Sequence, residues 1–134
     1  MEHHHHNNTA KSDLEMIKQK VLGYVEAWYT GEPERGEKSL HPDLVKRIAR
    51  MDSESGKPFL EMMSASKLAD RWSSGDGKKT PKEQQIKEIA VLDVHGNMAS
   101  VKLETAGWVD YMHLVKFNGE WVIVNILWEV KPVY

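Results

Sequence analysis

The sequence predicts an α+β domain in which N-terminal helices pack on the concave face of a curved antiparallel sheet. Three observations carry that reading. An apolar stripe at helical spacing runs from Leu14 to Trp28. A cleanly alternating hairpin turns at Gly96-Asn97, and a longer one, Gly107–Val130, turns at Asn118-Gly119. Helices first and long antiparallel strands last is the order expected when helices are segregated to one face of a sheet.

The first helix is signalled from both ends. Ser12-Asp13-Leu14-Glu15 has the spacing of a capping box, in which the serine hydroxyl and the glutamate carboxylate satisfy opposite amide groups. Leu14, Ile17, Val21, Tyr24, Val25 and Trp28 then recur every three or four residues, and Gly31 supplies the stop. Tyr24 and Trp28 read as core aromatics or as the lining of a ligand cavity, with the tyrosine hydroxyl as donor. Glu32-Pro33-Glu34 starts a short second helix that ends by His41, because Pro42 pushes the residue before it out of the helical region.

Leu44–Met51 alternates weakly as a strand, Ser53–Pro58 is its turn, and Phe59–Met63 returns. Ser64 or Ser66 caps a third helix that points Leu68, Ala69 and Trp72 inward. Gly75–Pro81 reads as a mobile polar loop, and Lys78, Lys79 and Lys82 as a solvated basic cluster. In the hairpin over 85–103, Ala90, Leu92 and Val94 with Ala99, Val101 and Leu103 form the apolar face. Gly107 marks a bulge or bend that lets the sheet curl, leaving a conical cavity beneath the long helix.

Pairing Phe117 with Glu120 assigns every side chain of the last hairpin to a face, because strand side chains alternate. One face receives Trp108, Asp110, Met112, Leu114 and Lys116 with Trp121, Ile123, Asn125, Leu127 and Glu129. The other receives Val109, Tyr111, His113, Val115 and Phe117 with Glu120, Val122, Val124, Ile126 and Trp128. Neither set is polar throughout, so both faces are covered. Helices cover one, and the simplest cover for the other is a second copy of the chain. Tyr111, His113, Val115, Val122, Val124, Ile126 and Trp128 are the predicted interface of that homodimer.

The chain of 134 residues suits one domain over 12–134, preceded by a tag or disordered tail over 1–11 that carries His3, His4, His5 and His6. A natural histidine-rich metal-binding tract is the other reading of those residues. There are no cysteines, so disulfides and thiolate metal sites are excluded. Net charge is −2 without a concentrated basic patch, which argues against nucleic acid. The absence of a membrane-length apolar run and of a signal segment gives the expectation of a soluble cytoplasmic protein with no membrane partner.

The segments Tyr24-Val25-Glu26-Ala27-Trp28-Tyr29, Gly31-Glu32-Pro33-Glu34-Arg35 and Leu40-His41-Pro42-Asp43-Leu44 resemble the first half of the putative lumazine-binding family. Val91-Leu92-Asp93-Val94, Trp108-Val109-Asp110-Tyr111, His113-Leu114-Val115-Lys116 and Trp121-Val122-Ile123-Val124-Asn125 with Trp128-Glu129 resemble its second half. That family belongs to the nuclear transport factor 2-like superfamily, also called SnoaL-like or ketosteroid-isomerase-like. The resemblance covers about residues 12–130. It implies a cone-shaped, cystatin-like α+β barrel, commonly dimeric through the sheet. Isomerases, dehydratases, cyclases and proteins that only bind or assemble share this fold, so the fold does not choose among them.

If the face bearing Asp110 lines the cone, Asp110 is the candidate catalytic acid or base, with Tyr24 or Asn125 as donor to a carbonyl. Alternatively, Asp110 bonds a backbone amide near the glycine bend. Tyr24, Trp28, His41, Trp72, Trp108, Asn125 and Glu129 are the candidate ligand-binding residues. His113 reads as a general base or as an interface histidine, and His95 as a solvated turn residue. No metal-ligand spacing appears and no cofactor is called for. Two functions follow: a binding or assembly domain with an apolar, aromatic-lined cavity for a small apolar or carbonyl-containing ligand, or a cofactor-independent isomerase or lyase acting beside a carbonyl.

Overall fold

The structure, a computed structural model, describes residues 2–132, with side chains from Ser12 onward. Helix α1 (Glu2–Thr30) and the short α2 (Pro33–Glu37) are followed by strands β1 (Leu40–Met51) and β2 (Pro58–Ser64) and helix α3 (Ala65–Ser73). Two single turns of 3-10 helix then lead to β3 (Glu88–His95), β4 (Met98–Glu104), β5 (Trp108–Phe117) and β6 (Glu120–Val130). The strands form one six-stranded sheet in the order β2-β1-β6-β5-β4-β3. It is mixed rather than wholly antiparallel, because β1 runs parallel to β6.

Helix α1 lies across the concave face and buries Ile17, Val21, Tyr24, Val25 and Ala27. Its observed course changes two details of the prediction and adds a third. The helix runs through Ser12, so the capping box does not begin it, and the Ser12 hydroxyl instead donates to the Met16 sulfur. Leu14, placed on the apolar stripe, is 38% exposed. Asp13, its neighbour, is buried, and its Oδ1 accepts from Trp121 Nε1 at 3.0 Å and from Lys116 Nζ at 3.1 Å. The tag or tail expected over 1–11 lies outside the residues whose side chains are described.

The second helix ends at Glu37, and His41 is already in β1. Ser64 is the cap of α3, its Oγ accepting from the Lys67 amide at 3.2 Å. Leu68 and Trp72 then point inward. Gly36 is required where α2 meets α3, since a Cβ there would overlap the Trp72 ring. The loop over 75–81 is built into the fold: its first 3-10 turn packs on the end of α1, and a Cβ on Gly77 would overlap the Trp28 carbonyl.

The Asn118-Gly119 turn has both residues at positive φ, 52° and 81°, and Phe117 pairs with Glu120 as predicted. The register holds as far as Leu114 opposite Ile123. There β6 carries one extra residue, Val124, and His113 pairs with Asn125. A bulge of this kind reverses the alternation of everything beyond it. Ile126 and Trp128, predicted at the dimer interface, therefore face the helices, whereas Asn125, Leu127 and Glu129 face outward. Leu92 does the same in β3, where Val91 pairs with Val101 but Asp93 with Ser100. The apolar set there is Ile89, Val91 and Val94, with Leu92 and Ala90 exposed. At Gly107 the chain makes a tight turn between β4 and β5, held by the Thr105 hydroxyl, which accepts the Gly107 and Trp108 amide hydrogens.

Candidate functional site

The curled sheet and the helices leave a cavity of about 520 Å³ between β1, β2, α1, α3 and the outer ends of β5 and β6. Its walls include five aromatic rings, Tyr24, Trp28, Trp72, Trp108 and Trp128. Trp72 meets Tyr24 edge to face at 5.7 Å, and Trp28 meets Trp108 at 6.3 Å with the ring planes at 88°. The lining is not purely apolar, because Lys46, Arg50, Lys67, Arg71 and Glu61 also border it.

At the floor is a buried polar group of three residues. Leu44, Lys46 and Ile48 share one face of β1, so the alternation that buries the two aliphatic residues also turns Lys46 inward. Lys46 Nζ donates to Tyr24 Oη at 2.6 Å and lies 4.7 Å from the centre of the Trp128 ring. Asp110 comes from β5, two strands away, and is fully buried. Its Oδ2 accepts from Trp108 Nε1 at 2.8 Å. Its Oδ1 lies 4.0 Å from Lys46 Nζ and has no hydrogen-bond partner among the described residues.

Burial dominates the protonation of all three. It lowers the Lys46 pKa, an effect that Asp110 opposes and Arg71 reinforces. It raises the Asp110 pKa against the contrary pull of Lys46 and of the Trp108 hydrogen bond. It raises the Tyr24 pKa well above the usual phenol value, with Asp110 adding to the rise. The site thus disfavours charge on each member, as expected where desolvation outweighs an ion pair that is not hydrogen-bonded. Chemically, it can offer a hydroxyl and an amine or ammonium to a polar atom lying over the aromatic walls.

Of the candidate ligand-binding residues, Tyr24, Trp28, Trp72 and Trp108 border the cavity. Asp110 lies one layer beneath, behind Lys46 and Trp108. Three others lie elsewhere. His41 packs edge-on against Phe117 at 5.3 Å, and its Nδ1 accepts the Asp43 amide hydrogen. The Val124 bulge turns Asn125 and Glu129 to the convex face, where Asn125 Nδ2 is 3.4 Å from His113 Nδ1. A shallower hollow of about 330 Å³ lies there between His95, His113, Val124 and Asn125. The sequence reading missed Lys46, Arg50, Arg71 and the inward turn of Trp128. The available signal for Lys46 was its place between Leu44 and Ile48, each two positions away along a strand.

Among the described residues, no helix is long and apolar enough to cross a membrane, and no group of three or more His, Asp or Glu could hold a metal ion. The family model described as putative lumazine-binding matches residues 12–129. A comparison with curated protein sequences finds no match. Among solved structures, an NTF2-like protein of unknown function from Shewanella baltica superposes with a TM-score of 0.69 at 16% identity, over 91% of this chain and 96% of that one. One from Methylobacillus flagellatus gives a TM-score of 0.67 at 22% identity, over 90% and 94%. An NTF2-like protein with a cystatin-like fold from Novosphingobium aromaticivorans gives 0.64 at 10% identity, over 96% and 88%. At such identities the likeness shows the fold alone.

Proposed function

The chain belongs to the putative lumazine-binding family, and on that footing we propose that it is a small-molecule-binding domain whose ligand occupies the concave cavity. The observation that carries this reading is the cavity itself. Its volume of about 520 Å³ falls in the range of sites for small organic ligands. Trp28, Trp108 and Trp128 are only partly buried there, so apolar ring surface is left for a ligand to cover. Native mass spectrometry of the freshly purified protein tests the proposal. The wild type is expected to carry an added small-molecule mass, and Trp128→Ala to lose it. A wild type with no added mass, which also takes up nothing from a set of aromatic fragments, ends this reading.

A second reading is proton transfer beside a carbonyl, and the unpartnered Asp110 Oδ1 favours it. In this reading Asp110, one layer beneath the cavity wall, is the buried acid or base and relays the proton through Lys46, while Tyr24 binds the carbonyl oxygen. Asp110→Asn would then abolish turnover of any substrate that the bound mass identifies. Unchanged turnover would remove Asp110 from the mechanism. Assembly into a homodimer through the convex face is compatible with either reading.

A further inference from the structure

The charges around the cavity narrow the class of ligand. Four cationic side chains border it, Lys46, Arg50, Lys67 and Arg71, against one carboxylate, Glu61. Glu61 is already held by Arg50, with oxygens at 3.1 and 3.4 Å from the guanidinium. Asp76 pairs with Arg71 at 3.6 Å, but it is not a wall residue, and both partners are about half exposed, so that pair holds Arg71 only weakly. Arg71 also lies 5.8 Å from the centre of the Trp28 ring, at the edge of the aromatic wall. Arg71 is near enough to Lys46 to disfavour its charge.

Lys46 has donor capacity to spare. An ammonium carries three N–H groups, and among the described residues one is taken, by Tyr24. Asp110, at 4.0 Å, compensates its charge from beneath without accepting a hydrogen bond. Lys46 is itself nine-tenths buried, so water cannot freely serve the remaining donors. Lys46 and Arg71 thus border the same cavity as the partly uncovered rings of Trp28, Trp108 and Trp128.

We propose that the cavity takes a planar aromatic anion, with its ring against Trp28, Trp108 and Trp128 and its negative group between Lys46 and Arg71. This rests on the binding role of the cavity and adds the charge and shape of the ligand. A neutral ring would bury the same apolar surface but leave the Lys46 donors unused. An aliphatic anion would satisfy the cations but leave the rings uncovered.

The test uses two fluorescent naphthalenes of nearly the same ring system, anilinonaphthalene sulfonate and the uncharged N-phenyl-naphthylamine. Both are titrated into the intact protein at low and high salt. The sulfonate is expected to bind one per chain and about tenfold or more tighter than the neutral dye, a difference of about 1.4 kcal/mol. Salt should shrink that margin. Arg71→Gln, a surface substitution that should not unfold the protein, is expected to cut it to about threefold, or about 0.6 kcal/mol. Lys46→Met is expected to remove it if the variant stays folded by circular dichroism. Equal or tighter binding of the neutral dye would overturn the charge assignment and leave the cavity's binding role intact. Failure of both dyes to bind stoichiometrically would overturn both. Sulfonate binding that ignores Arg71→Gln but disappears in Leu127→Asp would place the dye on the convex face and overturn the proposal.

Discussion

Lys46 and Asp110 approach to 4.0 Å across strand β6, buried on the same face of the sheet, without sharing a hydrogen bond. Each is held by a different aromatic residue, Lys46 by the Tyr24 hydroxyl and Asp110 by the Trp108 indole. Removing one charge of a buried pair leaves the other uncompensated, which typically costs about 3–5 kcal/mol. Lys46→Met should therefore destabilise the protein by roughly 3 kcal/mol in urea unfolding. Adding Asp110→Asn should recover part of that loss. Strictly additive single and double variants would show that the two residues do not act as a pair.

The same carboxyl sets a pH dependence. Burial raises the Asp110 pKa from its ordinary 3.8, so the folded state holds this proton more tightly than the unfolded chain does. The stabilisation from the neutral acid is complete below the unfolded value and is lost as pH rises through the raised one. Relative to Asp110→Asn, the wild type should lose stability as pH is raised from the ordinary carboxylate value through the raised one. A stability difference that stays flat over this window would mean that Asp110 titrates at its ordinary value.

Asp13 ties helix α1 to the last hairpin through Trp121 and Lys116. Asp13→Ala leaves the fully buried Trp121 N–H without its acceptor, a loss of roughly 1–3 kcal/mol. Asp13→Asn keeps an acceptor oxygen and should cost less. Urea unfolding followed by tryptophan fluorescence measures both. Equal losses for the two variants would mean that the ion pair to Lys116, rather than the indole bond, is what matters.

The convex face carries Tyr111 and Leu127 opposite one another, 51% and 55% exposed, with Val109 next to them along β5. A second copy of the chain is the expected cover. Sedimentation should give a dimer for the wild type and a folded monomer for Leu127→Asp. A monomeric wild type, or a Leu127→Asp protein of unchanged size, would remove the dimer from the account.

Val124 is the extra residue of β6, with Ile123 facing inward before it and Ile126 facing inward after it. Deleting Val124 regularises the strand and leaves every later side chain on its present face. A folded protein is expected, weakened by roughly 1–3 kcal/mol, with cooperative unfolding kept. Deleting Leu127 instead should turn Trp128 outward and bring Glu129 to the cavity, with loss of cooperative unfolding. If both deletions behave alike, the bulge does not set the register.

The parts of this fold that were legible in the sequence are those fixed by local chemistry. Asn118-Gly119 permits positive φ at two consecutive residues, so the turn and the first half of its hairpin could be read directly. The stripe on α1 and the serine cap of α3 follow equally local rules. The bulges at Val124 and Leu92 were not legible, because an extra valine or leucine in an apolar run has no signature of its own and is selected by sheet curvature. That one missed residue moved Trp128 and Ile126 to the wrong face and brought Asn125 and Glu129 into the predicted site. Four aromatic wall residues were found because aromatic residues on helical or strand spacing stand out. Lys46 and Arg71 were missed because a charged side chain in a weak strand or short helix reads as solvated until the tertiary fold encloses it.

The parallel pairing of β1 with β6 has a consequence for how the molecule is made. Every other strand pairs with a sequence neighbour, so β1–β2 and β3–β6 can each zip up locally. The seam between them joins Leu40 to Ile123 and Val45 to Asn125, the strand pairing of longest sequence separation among the described residues. Contacts of such separation are slow to form and depend on both segments being available. On the ribosome the seam must wait for the last strand to emerge, and the N-terminal hairpin spends that interval with its inner edge unpaired. Lys46 lies on one side of the seam and Asp110 and Trp128 on the other, so cavity and sheet are completed in the same late event. Partly folded molecules therefore have no binding site, and any ligand of the cavity would recognise finished molecules only.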